Sequence, residues 1–260
     1  AARAISAPTL YLAGRHAAFG DDKVTSGYYT KWFADGYGFI NYDNIHNNGT
    51  SNYDIETYID QLGFTVTDDP AKADIIVGNV ALDQGEKGAA AVAAVKAGTP
   101  YIATGSDPLE YISKNLVTDL TYTTLGMEAL HTVTYPTDSL ITASYVAEGD
   151  DLLYGYGAGY FAAIPAGAQV LVQLDGSKEL LEGFLPADGE HFDDFLDDSI
   201  QAISYQGAGA DNAQLDVVLF ANTLTNKTNQ RDEYNFISNA AWAAVLNDTG
   251  YSDVAPNAWY

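Results

Sequence analysis

The sequence predicts a three-layer α/β domain: a doubly wound, mostly parallel sheet with helices on both faces and an antiparallel extension. Three observations predict it. Short apolar runs alternate with segments of helical period through the first third of the chain, as expected where helices cover both faces of a parallel sheet. Between about Leu116 and Tyr205 the apolar runs become short and are separated by Gly and Pro, which reads as antiparallel structure. A last apolar run followed by an amphipathic stretch then closes the domain.

Thr9-Leu10-Tyr11-Leu12, ended by Gly14, reads as a buried first strand. Thr25 or Ser26 caps a helix with Tyr29, Trp32 and Phe33 on one face, stopped by Gly36 and Gly38. A second helix places Ile55, Tyr58, Ile59 and Leu62 at successive turns, after Ser51 and Asn52 and before Gly63. Ala73 to Gly78 is the next buried strand, and an Ala/Val helix runs from about Glu86 to Lys96, ending at Gly98. Thr99 to Gly105 returns as a strand, and Ser106-Asp107-Pro108 starts a short helix with proline in its first turn.

Short strands are expected at Tyr160–Ile164, Gln169–Leu174, Leu180–Leu185 and Ile200–Tyr205. The glycine-rich stretch Gly155 to Tyr160 lacks a preceding core strand and a Lys-Ser/Thr ending, so it reads as a tight loop rather than a phosphate cradle. Leu215 to Phe220 is mostly apolar and suits a strand covered on both sides. Ile237, Ala240, Ala241, Ala244 and Val245 stripe a final helix, with Asp232 and Glu233 in its favourable first turn. No stretch is dense enough in Pro, Ser or charge to act as a linker, so residues 1–260 read as one domain, excised from a longer protein.

Composition removes several classes of chemistry. With 35 Asp plus Glu against 11 Lys plus Arg, the net charge is −24, which repels nucleic-acid backbones and anionic membrane surfaces alike. The absence of cysteine excludes disulfides, a thiolate nucleophile and cysteine-ligated metal sites. No apolar run is long enough to insert into a membrane. An acidic chain rich in Tyr, Asn, Thr and Gly with few lysines fits an extracellular or cell-surface bacterial protein.

Several stretches, taken in order, resemble a known family. Gly27-Tyr28-Tyr29-Thr30-Lys31-Trp32-Phe33 with Tyr37-Gly38-Phe39, Ala73 to Asn79, Ala97 to Ser106, Leu180 to Leu185, Val217 to Phe220, Arg231 and Asn235 to Ala241 are similar to the class I glutamine amidotransferase-like, flavodoxin-like domains at the C-terminus of bacterial carboxypeptidase-A-type zinc carboxypeptidases. The sequence departs from that pattern in an acidic insert after Leu185 and in Ala221-Asn222-Thr223, where the family continues with Gly and an aromatic. The resemblance implies an accessory domain that supports its neighbour or presents substrate or a partner to it. Zinc and catalysis belong to the adjacent peptidase domain of the same chain, and this segment holds no cofactor.

An amidotransferase of this fold carries its cysteine on the sharp turn after a strand, and here Gly105-Ser106 occupies that neighbourhood. Without cysteine the amidotransferase reaction is lost. A second reading makes Ser106 a hydrolase nucleophile, with His191 or His131 as base and Glu190 as the group that orients it. The turn lacks the second glycine of a nucleophile elbow, and a Ser before Asp-Pro also suits a helix cap. Gly105, Ser106, Arg15 and Arg231 are the candidate ligand contacts, the arginines because cations are so scarce. A third reading is a peptide- or glycan-binding module built on surface tyrosines. His191-Phe192-Asp193-Asp194 mimics a metal pair, yet with Asp197 and Asp198 it reads as a solvated acidic face, and no metal site is expected.

Overall fold

The computed structural model describes residues 6–13, 64–143, 145, 151–175, 182–184, 199–222, 224 and 234–248. The two helices expected near residues 25–38 and 51–63, and Asp232 and Glu233, lie outside them.

Four short strands, β1 (Thr9–Ala13), β2 (Thr65–Val66), β3 (Ile75–Gly78) and β4 (Tyr101–Thr104), and the later β10 (Gln214–Phe220) form a parallel sheet in the order β2-β1-β3-β4-β10. This is the flavodoxin-like order, with the switch in winding direction between β1 and β3. β1, β3 and β4 are buried along almost their whole length, which is why their sequences are continuous apolar runs instead of alternating ones.

Alternate residues of these strands feed two cores. Leu10, Leu12, Ile75, Val77, Ile102 and Phe220 pack on one face with Phe236, Ile237, Ala240 and Ala241 of helix α3 (Tyr234–Asp248). Tyr11, Ala13, Ile76, Tyr101, Ala103, Val217 and Leu219 pack on the other. There they meet Ala91 and Val95 of α1 (Gly88–Lys96) and Leu109 and Ile112 of α2 (Ser106–Asn115). Helices therefore cover both faces, and the expected three-layer, doubly wound architecture is present. Gly98 ends α1 with φ 105° while its N–H reaches the Val95 carbonyl at 3.0 Å, a left-handed stop that favours glycine.

The antiparallel extension comprises β5 (Thr121–Thr134), β6 (Asp151–Ala163), β7 (Gln169–Leu174), β8 (Glu182–Phe184) and β9 (Ile200–Ala208). β9 joins it to the parallel half by pairing with β10 from Ala202 to Ala208. The extension then closes on itself, because β9 pairs with both β6 and β7, and β5 pairs with the same two strands. Closure of this kind removes free strand edges that would otherwise template aggregation.

Two expectations need correction here. β5 and β6 are long paired strands of 14 and 13 residues, not a succession of short pieces, and Gly155–Tyr160 lies inside β6 and forms no loop. Glycine is depleted in strands, so the run masqueraded as a turn. The close approach of the two backbones explains one of these glycines: a Cβ at Gly159 would sit 1.9 Å from the Thr123 carbonyl oxygen, and β5 could not pair at that distance with any other residue.

Candidate functional site

In doubly wound sheets ligands ordinarily bind beyond the carboxyl ends of the strands. Gly105 and Ser106 sit there, at the end of β4. Gly105 (φ 89°, ψ 175°) takes the N-cap position of α2, with no side-chain cap, and Ser106 is the first helical residue. The cap reading of Ser106 is therefore replaced by a backbone turn that glycine's freedom allows. The Ser106 side chain is half-buried.

Around this turn the polar groups are engaged with one another. The Thr104 hydroxyl donates to the Asn222 carbonyl and accepts the Leu224 N–H at 2.8 Å, while the Gly105 N–H donates to the Phe220 carbonyl at 3.0 Å. Gln201 Nε2 donates to the Gly159 carbonyl and to Ser199 Oγ, both at 3.2 Å, and the Tyr122 hydroxyl donates to the Ala221 carbonyl at 3.2 Å. Thr104, Gln201 and Asn222 are all buried. The carboxyl edge around β4 and β10 is thus stitched by internal hydrogen bonds. Thr104→Val removes a buried donor and a buried acceptor at once, leaving the Leu224 N–H only its longer bond to the Asn222 carbonyl at 3.1 Å. It is expected to cost about 2 kcal/mol, read as a fall in the urea midpoint at unchanged slope.

The proposed partners of Ser106 divide by location. His191, Glu190, Arg15 and Arg231 lie outside the described residues. His131 is buried in β5, and among the described residues no hydrogen bond joins it to Ser106. Burial holds its pKa down to about 4, so the ring is neutral at physiological pH. In the sheet β10, β9 and β6 intervene between β4 and β5. Among the described residues no three His, Asp or Glu side chains gather as a metal site would require. None of the described tyrosines whose exposure is defined is fully exposed, because their rings serve packing: Tyr101 is wholly buried, and Tyr145 stacks on Phe236 with centroids 4.0 Å apart.

Open space lies at the opposite end of the sheet. A groove of about 570 Å³ opens between α3 and the amino ends of β4 and β10. Its floor is a sheet face: Ile102 pairs with Val218, Val218 with Ser204, Asp216 with Gln206, and Ser204 with Gln169, and partners directly opposite in a sheet point to the same side. Its other wall is Ala240, Ala243 and Ala244 of α3 and the segment Asp138–Ile141. Gln206 Nε2 donates to Asp216 Oδ2 at 3.0 Å, and Ser204 Oγ to Gln169 Oε1 at 3.4 Å. Leu140, at the rim, is 42% exposed.

The groove exists because the alanines of the helix are too small to fill the space above this face of the sheet. Sequence reasoning missed it. The available signal was Asp216, a carboxylate in the middle of a run read as core, together with an alanine stripe on the covering helix. The lining is drawn from six separated stretches, and only the fold brings them together.

The fold defines the class: a flavodoxin-like α/β domain, the architecture that class I amidotransferase-like domains share, on the strength of strand order and helices on both faces. No family model matches the chain, and no curated protein does. Among solved structures, a protein of Thermoplasma acidophilum described as a GMP synthase subunit is similar over 95% of this chain and 100% of its own, at 9% identity and TM-score 0.44. An exo-β-1,4-mannosidase, Op5Man5, from Opitutaceae bacterium strain TAV5 is similar over 92% of this chain and 36% of its own, at 13% identity and TM-score 0.44. The mmIFT52 N-terminal domain is similar over 92% of this chain and 97% of its own, at 8% identity and TM-score 0.48.

Proposed function

We propose that the chain is a non-catalytic accessory domain that works beside a zinc metallocarboxypeptidase domain in a longer, secreted bacterial protein, supporting it or presenting substrate or a partner to it. One observation carries the non-catalytic half of this reading. The turn after β4, where an amidotransferase of this fold places its cysteine, holds Ser106 behind a glycine cap in a chain without cysteine, and the hydroxyl beside it, on Thr104, is consumed in tying β4 to residues 222–224. The carboxypeptidase neighbour is supported by the ordered resemblance of the sequence stretches, and the acidic, cysteine-free composition suits secretion.

The test has two arms. The purified chain and its Ser106→Ala variant are assayed for ammonia release from glutamine and for hydrolysis of activated esters and peptides, and neither should turn over above background. Turnover by the parent chain that Ser106→Ala abolishes would replace this reading with a serine hydrolase. In the full-length protein, removing these 260 residues should lower peptidase activity or the melting temperature of the peptidase domain; unchanged values for both would reject the accessory role.

A further inference from the structure

We infer that the groove between α3 and the sheet binds a short extended peptide, held through its backbone by the carboxamides of Gln169 and Gln206 and seated by apolar side chains on Ile102 and Val218. This is the presenting role proposed above and rests on that reading. Since it is a property of this chain alone, its failure leaves the supporting half of that reading to the deletion test.

Register points to the ligand class. Gln169 of β7 stands opposite Ser204 of β9, and Gln206 lies two residues further along β9. The two carboxamides are therefore diagonal neighbours on one sheet face, their backbones roughly 7–8 Å apart. Alternate residues of an extended chain repeat about every 6.8 Å. A carboxamide carries a donor and an acceptor in one plane, the complement of a peptide group. Gln206 Nε2 donates to Asp216 at 3.0 Å, and Gln169 Oε1 accepts from Ser204 at 3.4 Å. Among the described residues these bonds orient both amides and leave Gln206 Oε1 to accept a peptide N–H and Gln169 Nε2 to donate to a peptide carbonyl. Both residues are exposed.

The rest of the groove supplies seats for side chains. The row that starts at Gln169 and Ser204 continues across β10 and β4 to Val218 and Ile102, so polar and apolar halves of the floor lie side by side. Four strands span about 14 Å, or roughly four residues of extended chain. Such a chain turns alternate side chains to one face, and those that meet Val218, Ile102 and the exposed Leu140 gain by burial. The alanines of α3 keep the space above them open. Its volume, about 570 Å³, lies within the roughly 300–1,000 Å³ of small-ligand sites. Tyr101 alone among the described lining residues is aromatic, and it packs in the opposite core. These residues therefore offer a sugar ring no flat partner, which favours a peptide over a glycan.

The experiment titrates acetyl-Val-Ser-Val-Ser-amide into the 260-residue chain, followed by calorimetry and amide-resonance NMR. Its blocked ends carry no charge, so binding should be nearly insensitive to salt. Shifts should saturate and fall on β4, β7, β9, β10, α3 and residues 138–141. The depsipeptide with an ester oxygen in place of each of the four residue nitrogens keeps the shape but loses the N–H donors, and should bind at least about tenfold more weakly. Gln206→Met, which keeps the length of the side chain but not its acceptor, should weaken peptide binding about fivefold and depsipeptide binding less than about twofold. Ala244→Leu, which fills the groove, should weaken peptide binding by about tenfold or more.

No saturable shift up to about 10 mM peptide, equal affinity for peptide and depsipeptide, maltotetraose binding as tightly as the peptide, or peptide binding unmoved by Ala244→Leu would overturn the inference. If Ala244→Leu does not fold, Gln206→Met decides: unchanged peptide affinity overturns, and a loss confined to the peptide supports.

Discussion

Replacing Phe236 with alanine is expected to lower the unfolding free energy by roughly 3–5 kcal/mol, the range for truncating a buried aromatic. Phe236 is 2% exposed, stacks on Tyr145 at 4.0 Å and meets Phe220 of β10 at 5.5 Å between ring centroids. It carries this weight because α3 has few large anchors. Its groove-facing side presents alanines, each burying little area, so docking rests on Phe236 and Ile237 near the start and on Trp242, which meets Phe64 at 5.6 Å. Guanidinium unfolding measures the loss, and Phe236→Leu should recover more than half of it. A cost below about 1 kcal/mol would mean that α3 is not held on the sheet through this ring. The groove would suffer with the helix, so the amide resonances of Ala240 and Ala244 should broaden or shift in Phe236→Ala.

Acidification supplies the second large effect. His131 has its pKa pushed down from 6.5 to about 4 by burial, so the folded chain resists taking up a proton that the unfolded chain accepts. Above pH 6.5 both states are neutral and the full stability is present. As pH falls from 6.5 towards 4 the unfolded state gains the proton first, and stability drops by up to about 1.4 kcal/mol per pH unit. The gap of about 2.5 gives a total near 3 kcal/mol, and below pH 4 the loss from this group levels off. The many carboxylates titrate lower and complicate the absolute curve, so the informative quantity is the difference between the parent chain and His131→Gln. That difference should grow with pH between 4 and 6.5 and be flat above. An imidazole resonance that titrates near 6.5 in the folded chain and is lost in His131→Gln would show this ring to be solvated and the prediction wrong.

Much of the parallel half was legible because its signals are local. Ile75-Ile76-Val77 and Tyr101-Ile102-Ala103 are continuous apolar runs, as strands covered on both faces must be, and Gly98 and Gly105 punctuate the elements around them. β5 was not legible, because Thr121 to Thr134 mixes polar and small residues whose strand state depends on a partner found some 30 residues later. The same holds for the glycines of β6, where propensity argues for a turn and pairing with β5 overrides it. The ring formed by β5, β6, β7 and β9 is likewise invisible locally, since it is a matter of which edges meet.

For the site, the sequence alone determined what chemistry is missing and what is repelled: without cysteine no thiolate reaction is available, and the large negative charge repels polyanions. It also marked the turn at Gly105-Ser106. Tertiary structure decided what surrounds that turn, by committing the hydroxyl of Thr104 and the backbone of residues 220–224 to each other. It also decided that open space lies at the other end of the sheet, between alanines and Asp216. The physical reason is that composition and short-range spacing govern which groups exist and which way a strand or helix faces, whereas a cavity is the difference between two surfaces that meet only after long-range pairing is complete.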